Sequence, residues 1–203
     1  MVQTTNIESK AELRRSMLHV RREIPTERLF RLSEAVLRNV VSSMEFEKAT
    51  TIASYVAKKD EVRTEGIIKY SLEVGKRVIV PVTIPPGRNL AFSELRDYDK
   101  ELAPGSFDVL EPKKEHLRQI PLDDADLVLV PLVAWDYSGH RLGYGKGYFD
   151  SALARVGMST FTMGLALECQ RTSEIPSEAH DVKLMAVATE MRIVRPVSRR
   201  GDK

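Results

Sequence analysis

Through the first forty residues the apolar side chains return at helical spacing; from residue 51 onward they gather into short, nearly unbroken runs. Ser9 and Glu12 have the S-x-x-E spacing in which each side chain bonds the other's backbone N–H, so a helix is predicted to start there. Leu13, Met17 and Val20 give its apolar stripe, and Pro25 stops it. Thr26 is the expected cap of a second helix that buries Leu29, Leu32, Val36 and Val40. TIASYV from Thr51 reads as a strand and the charged turn KKDE follows it. Thr64 is placed to cap a further helix ending near Gly75, and RVIVPV from Arg77 is the next strand.

Helix and strand therefore alternate, which predicts an α/β fold with a largely parallel sheet and helices on both sides. VIVPV, LVLVPLV, FTMGLAL from Phe161 and LMAVAT from Leu184 are continuously apolar, as strands covered on both faces are. Between LVLVP and GYFDSALARV lies the loop WDYSGHRLGYGKG; the helix after it is expected to set Tyr148, Ala152 and Val156 on one side. From Arg96 to Asp124 the periodicity fails, which predicts either a functional loop or a surface excursion. One domain over 1–197 is expected, with the charged tail 198–203 frayed from it.

Composition narrows the function. Lys+Arg is 31 against Asp+Glu 29, a net charge of +2, which is no general nucleic-acid surface but leaves room for a local cationic cluster. A lone cysteine, Cys169, allows no internal disulfide and is expected in the core. The longest apolar run, LVLVPLVAW, is far shorter than the roughly 20 residues of a membrane span. MVQTTNIESK has no apolar stretch of the kind a secretory signal carries, so a cytoplasmic protein is expected.

RLGYGKGYFD, residues 141–150, carries the chemistry. Gly143, Gly145 and Gly147 alternate, Lys146 lies between the last two, and Arg141 and Asp150 bracket the stretch. It fits neither the Walker loop nor the dinucleotide fingerprint. Its place between a buried strand and a helix suits phosphate, because free helix N–H groups, an Arg fork and a Lys point charge would converge there. Pattern alone leaves a nucleotide and a sugar phosphate both open. It also leaves open a plain turn in which Arg141 pairs with Asp136, Asp150 serves the helix dipole, and Tyr148 and Phe149 are core. Lys10 and Arg14, four apart on one helix face, read locally as a solvated face. Trp135 is expected in the core, and His180 is read as structural.

RLGYGKGYFD, preceded by an apolar strand and DYSG, resembles the glycine loop of the 5-formyltetrahydrofolate cyclo-ligase (methenyltetrahydrofolate synthetase) family. The likeness extends in order through KAELR at 10–14, DEVRT at 60–64, Gly105 with LEP at 110–112, and HDVKL at 180–184. It implies a three-layer α/β/α sandwich and ATP- and Mg²⁺-dependent closure of 5-formyltetrahydrofolate to 5,10-methenyltetrahydrofolate, with ADP and phosphate released. By this resemblance Lys10, Arg14, Arg141, Leu142, Gly143, Tyr144, Gly145, Lys146, Gly147, Tyr148 and Phe149 would hold ATP. Arg141, Lys146 and Tyr148 would act in catalysis. Val56, Glu61, Lys146, Gly147 and Tyr148 would meet the folate, and Asp150 and Asp181 the magnesium. Phe149 stands where many members carry a second tyrosine. The implied partner is a small molecule, a folate with or without a polyglutamate tail; a monomer with no protein partner, nucleic acid or membrane is expected. A sugar-phosphate isomerase would instead need a general base beside the glycine loop, and a metabolite sensor would not need Glu61.

Overall fold

The computed structural model describes residues 9–84, 89–106, 109–178 and 181–196; His180 and the tail expected to fray lie outside them. In chain order the elements are α1 (Lys10–Arg22), α2 (Thr26–Val41), α3 (Met44–Lys48), β1 (Thr51–Ala53), α4 (Glu65–Glu73), β2 (Arg77–Ile84) and β3 (Asn89–Leu95). Then come α5 (Tyr98–Glu101), β4 (Leu102–Pro104), β5 (Leu110–Pro112), β6 (Leu127–Pro131), β7 (Ala134–Trp135) and β8 (Arg141–Leu142). The last are α6 (Tyr148–Leu153), β9 (Phe161–Leu165), β10 (Ala186–Ala188) and β11 (Ile193–Val194).

A seven-stranded sheet runs in the order β11-β10-β9-β6-β1-β2-β3. Its five inner strands pair in parallel, and β3 and β11 close the two edges antiparallel. Successive residues of β6 serve opposite faces, as strand geometry requires. Leu127 and Leu129 meet Leu29, Val36 and Val40 of α2 and Phe46 of α3. Val128 and Val130 meet Trp135 and the α6 residues Ala152 and Leu153. The sheet is thus the middle of three layers, and the α6 side is the thinner, completed by Ile120 in coil and Leu122 in a short 3₁₀ turn. Each large side chain buried this way contributes about 1.5–3 kcal/mol relative to exposure.

Gly164 in β9 has no room for a side chain. A Cβ there would lie 2.6 Å from the tips of both Leu132 and Leu184, themselves only 2% exposed. Gly164→Ala is therefore expected to overpack the thinner layer and cost about 1–3 kcal/mol. A fall in the urea midpoint checks it, and an unchanged midpoint would mean the leucines can yield.

Several sequence expectations need correction. The capping box of α1 is present, but its stripe is Leu13, Met17 and Arg21: Val20 is 37% exposed and Arg21 only 2%. Pro25, not Thr26, is the N-cap residue of α2. Thr64 does precede α4, yet its hydroxyl donates to the carbonyl of Tyr55, 2.7 Å away, rather than capping the helix. β1 ends at Ala53, although the chain stays buried through Val56. β3, which the sequence reading missed, forms a long antiparallel pairing with β2. The 96–124 segment is not structureless: it holds α5, the β4–β5 hairpin and two short 3₁₀ turns. The 134–142 loop contains the two-residue strands β7 and β8. Cys169 is exposed rather than core, whereas Trp135 is fully buried and donates to the carbonyl of Leu167.

Candidate active site

The chain leaves β1 toward β2 and β3 on one side, then returns to build β6, β9 and β10 on the other. Strand order therefore reverses between β1 and β6. A crevice opens beyond the carboxyl ends of strands at such a reversal, and ligands of open α/β sheets bind there. Here a cavity of about 350 Å³ occupies that place. Tyr55 and Val56 after β1, Pro81 and Thr83 of β2, and Pro131 of β6 line it, with the 141–150 loop and α1 across from them. The irregular segment supplies a further wall through Ser106, Val109 and Glu111. Thr83 donates to Glu111 at 2.9 Å, which ties this wall to β2.

Lys10, Arg14, Val56, Glu61, all of residues 141–150 and Asp181 line this one cavity. They do so in different ways. Leu142 is 3% exposed and packs with Leu13, Ala134 and Ile175, and Val56 packs with Ile68, Val78 and Val80, so both side chains belong to the core. Phe149 packs against both sheet-face cores. Tyr148 and Lys146 belong to the cavity wall, Lys146 being exposed.

The glycine loop has a local reason for two of its glycines. Gly145 and Gly147 take φ of 86° and 71°, a region that side chains with a Cβ rarely adopt. Gly145 also admits the Arg14 guanidinium, whose Cζ would stand 3.2 Å from a Cβ at that position. The Nε of Arg14 donates to the carbonyl of Gly143 at 2.8 Å, so a cation from the amino-terminal helix lies on a turn more than a hundred residues away. Gly147 is the N-cap of α6, which has only six residues. The loop amides and side-chain cations thus carry more of the positive field than the helix dipole does.

Cations and carboxylates of the site are paired with each other. Arg141 is 8% exposed and bonds Asp150 and the carbonyl of Val182, not Asp136. Asp136 instead faces His140, 3.2 Å away, and accepts the N–H groups of Ser138, His140 and Ile175. Burial pushes the Arg141 pKa down, and the charges of Asp150 and Asp181 oppose that. Lys10 bonds Asp181 at 2.6 Å and Glu178 at 2.9 Å. The acidic pair expected to hold metal therefore flanks Arg141, and one member of it also holds Lys10.

A second cluster in the cavity is built on Glu61, which is 5% exposed. Burial pushes its pKa up. The N–H of Lys58, which it accepts at 2.7 Å, resists that rise, and so do the Arg21 and Lys58 charges and the Tyr144 hydroxyl. Tyr144, expected at the nucleotide, has its ring in this cluster, with Lys58 Nζ 4.7 Å and Arg21 Cζ 5.4 Å from its centroid. Burial, then Glu61, push its phenol up, so it stays protonated. Arg21, Lys58 and Asp60 were not picked out from sequence. The available signal was that Arg21 follows Arg14 by seven residues, two turns along the same helix face.

Residues 6–190 match the family described as the 5-formyltetrahydrofolate cyclo-ligase family. A 5-formyltetrahydrofolate cyclo-ligase of Haemophilus influenzae is 27% identical over 90% of this chain and 98% of its own length. One from Mycolicibacterium smegmatis is 31% identical over 91% of this chain and 95% of its own. The NMR structure of the Aquifex aeolicus 5,10-methenyltetrahydrofolate synthetase superposes with a TM-score of 0.81 at 32% identity, covering 96% of each chain.

Proposed function

The chain belongs to the 5-formyltetrahydrofolate cyclo-ligase family and is an enzyme of the ligase class, and from that membership we propose that it closes 5-formyltetrahydrofolate to 5,10-methenyltetrahydrofolate while ATP becomes ADP and phosphate. The observation that carries the reading is the contact of Arg14 with Gly143, which gathers cations from two distant segments on one glycine loop. That loop faces the same cavity as the buried carboxylate of Glu61.

A formamide carbonyl is a poor electrophile because nitrogen donates into it, and its oxygen cannot depart as oxide. Moving the γ-phosphoryl group of ATP onto that oxygen cures both defects. N10 then attacks the activated carbon, the ring closes, and the oxygen leaves within phosphate. The protein's part is positioning and charge neutralisation rather than covalent chemistry. Arg14, Arg141, Lys146 and the loop amides hold the phosphates, Lys10 adds charge beside them, and Tyr148 borders the reacting groups. Glu61 accepts N–H donors of the pterin, and Val56 walls its ring.

Asp150 and Asp181 are the residues that would hold Mg²⁺. Among the described residues no group of three or more His, Cys, Asp or Glu forms a metal cage. Two carboxylates nevertheless fit this ion, which takes its remaining oxygens from phosphates and water. When bound, it would neutralise charge on the phosphate oxygens.

The protein mixed with 5-formyltetrahydrofolate, Mg²⁺ and ATP is expected to raise the near-ultraviolet absorbance of the methenyl product, and to do so only with ATP present. Absence of ATP-dependent product would reduce the chain to a paralogue that keeps the fold without the reaction. Among the described residues no helix is long and apolar enough to cross a membrane.

A further inference from the structure

The α1 stripe asks for an apolar residue at position 21, and the chain places an arginine there, 2% exposed. Its guanidinium makes contacts in three directions. Nε donates to the carbonyl of Asp60 at 2.9 Å, and Nη1 to the carbonyl of Leu132 at 3.2 Å. Nη2 donates to the Tyr144 hydroxyl at 2.7 Å and pairs with the Asp60 carboxylate at 2.9 Å. One side chain thus joins α1, the 58–61 turn, the end of β6 and the glycine loop. Stability does not explain it, because a buried ion pair often gives way to a well-packed apolar side chain with no loss. What an apolar residue could not do is fix the Tyr144 hydroxyl and the Asp60 backbone in one fork.

We propose that Arg21 is a positioning residue for the folate end of the cavity, holding Tyr144 and the 58–61 turn so that Glu61 and the Tyr144 ring meet the pterin in one geometry. The inference rests on the folate reading given above. Glu61 is faced by Arg21 of α1, by Lys58 of its own turn, by Tyr144 of the glycine loop and by Tyr55 after β1, and Asp60 acts on Arg21 and Tyr144 beside it. Tyr55 donates to the Val62 carbonyl at 3.0 Å and is committed to the fold. Arg21 and Lys58 are the cations that oppose the upward push of burial on the Glu61 pKa. The helix that bears Arg21 also bears Lys10 and Arg14, so nucleotide and folate ends share one rigid support.

The test uses the whole chain in the cyclisation assay, with Arg21→Gln, Arg21→Lys and Tyr144→Phe. Arg21→Gln is expected to raise the folate KM about tenfold, the effect of one lost charged hydrogen bond, with the ATP KM within about twofold. It removes a cation beside Glu61, so the acid limb of kcat/KM for folate should move to higher pH. Arg21→Lys keeps the cation and hence the limb, but not the fork, so the folate KM still rises. Tyr144→Phe leaves Arg21 its contacts to Asp60 and Leu132, so the chain keeps its fold, and the folate KM should rise about threefold with the ATP KM unmoved. Equal rises in both KM values with an unmoved limb, or a wild-type folate KM in Tyr144→Phe, overturn the assignment of Arg21. If Arg21→Gln fails to fold, Tyr144→Phe decides alone. Wild-type protein that makes no methenyl product overturns the folate reading itself, and this inference with it.

Discussion

Lys146→Ala is expected to slow methenyl formation at saturating substrates by about 10²–10³-fold, the loss seen when one preorganised charge is removed from a transition state. Lys146 sits between Gly145 and Gly147, both at positive φ, on the cavity wall. It is exposed, so truncation leaves the core intact. On the proposed reading the ATP KM should change less than kcat, because Arg14 and Arg141 would still hold the phosphates while charge developing on the moving phosphoryl group would lose its partner. Steady-state rates with the thermal midpoint as a fold control check this. Turnover within about twofold of wild type would remove Lys146 from the mechanism.

Glu61→Gln should separate binding from stability with opposite signs. On the proposed reading the carboxylate accepts pterin N–H donors, and a neutral amide would accept them less well, so the folate KM should rise about 10–100-fold while the ATP KM stays near its original value. Stability moves the other way. The folded-state pKa of Glu61 is raised, chiefly by burial. A group raised in this way stabilises the fold at pH below its unfolded value of 4.5, and that contribution is lost as pH rises through the folded value. At neutral pH the buried charge is therefore a net cost, and glutamine relieves it while its amide oxygen still accepts the Lys58 N–H. The thermal midpoint at pH 7 should rise and the advantage should vanish in acid. On the same reading, wild-type folate binding is expected to weaken as pH falls toward the raised pKa of Glu61. Equal loss of folate and ATP binding with a lower midpoint would instead indicate a damaged fold.

How much of this could be read from the sequence depended on the range of the interaction involved. The parallel inner strands were legible because continuous apolar runs report burial on both faces, a property each strand carries by itself. The glycine loop was legible because Gly145 and Gly147 mark backbone that few other residues adopt. Pairings were not. Asp136 and Asp150 both lie within reach of Arg141 along the chain, and only the folded loop selects Asp150. Arg21 was hidden because helical periodicity assumes an apolar residue at a buried position, and Val20 next to it satisfied that assumption. The 96–124 segment was illegible because strands of three residues have no period to detect. Its shape is held at long range by the fork of Arg118 on Glu101, at 2.8 and 2.9 Å. The grouping of Tyr144 with Glu61 and Arg21 required the side-chain direction of Tyr144, which no spacing rule supplies.

The helix at the start of the chain is attached mainly by polar contacts: Lys10 to Asp181 and Glu178, Arg14 to Gly143, and Arg21 to Asp60 and Tyr144. Leu13 is its one buried apolar side chain. On the proposed reading, the chemistry thus depends on a helix held mainly by charge and hydrogen bonds. Salt or mild denaturant that detaches this piece while the sheet persists is expected to abolish turnover with most of the folded signal retained, the loss being confined to the helical part that α1 contributes. For this protein, a folded sheet is no proof of competence.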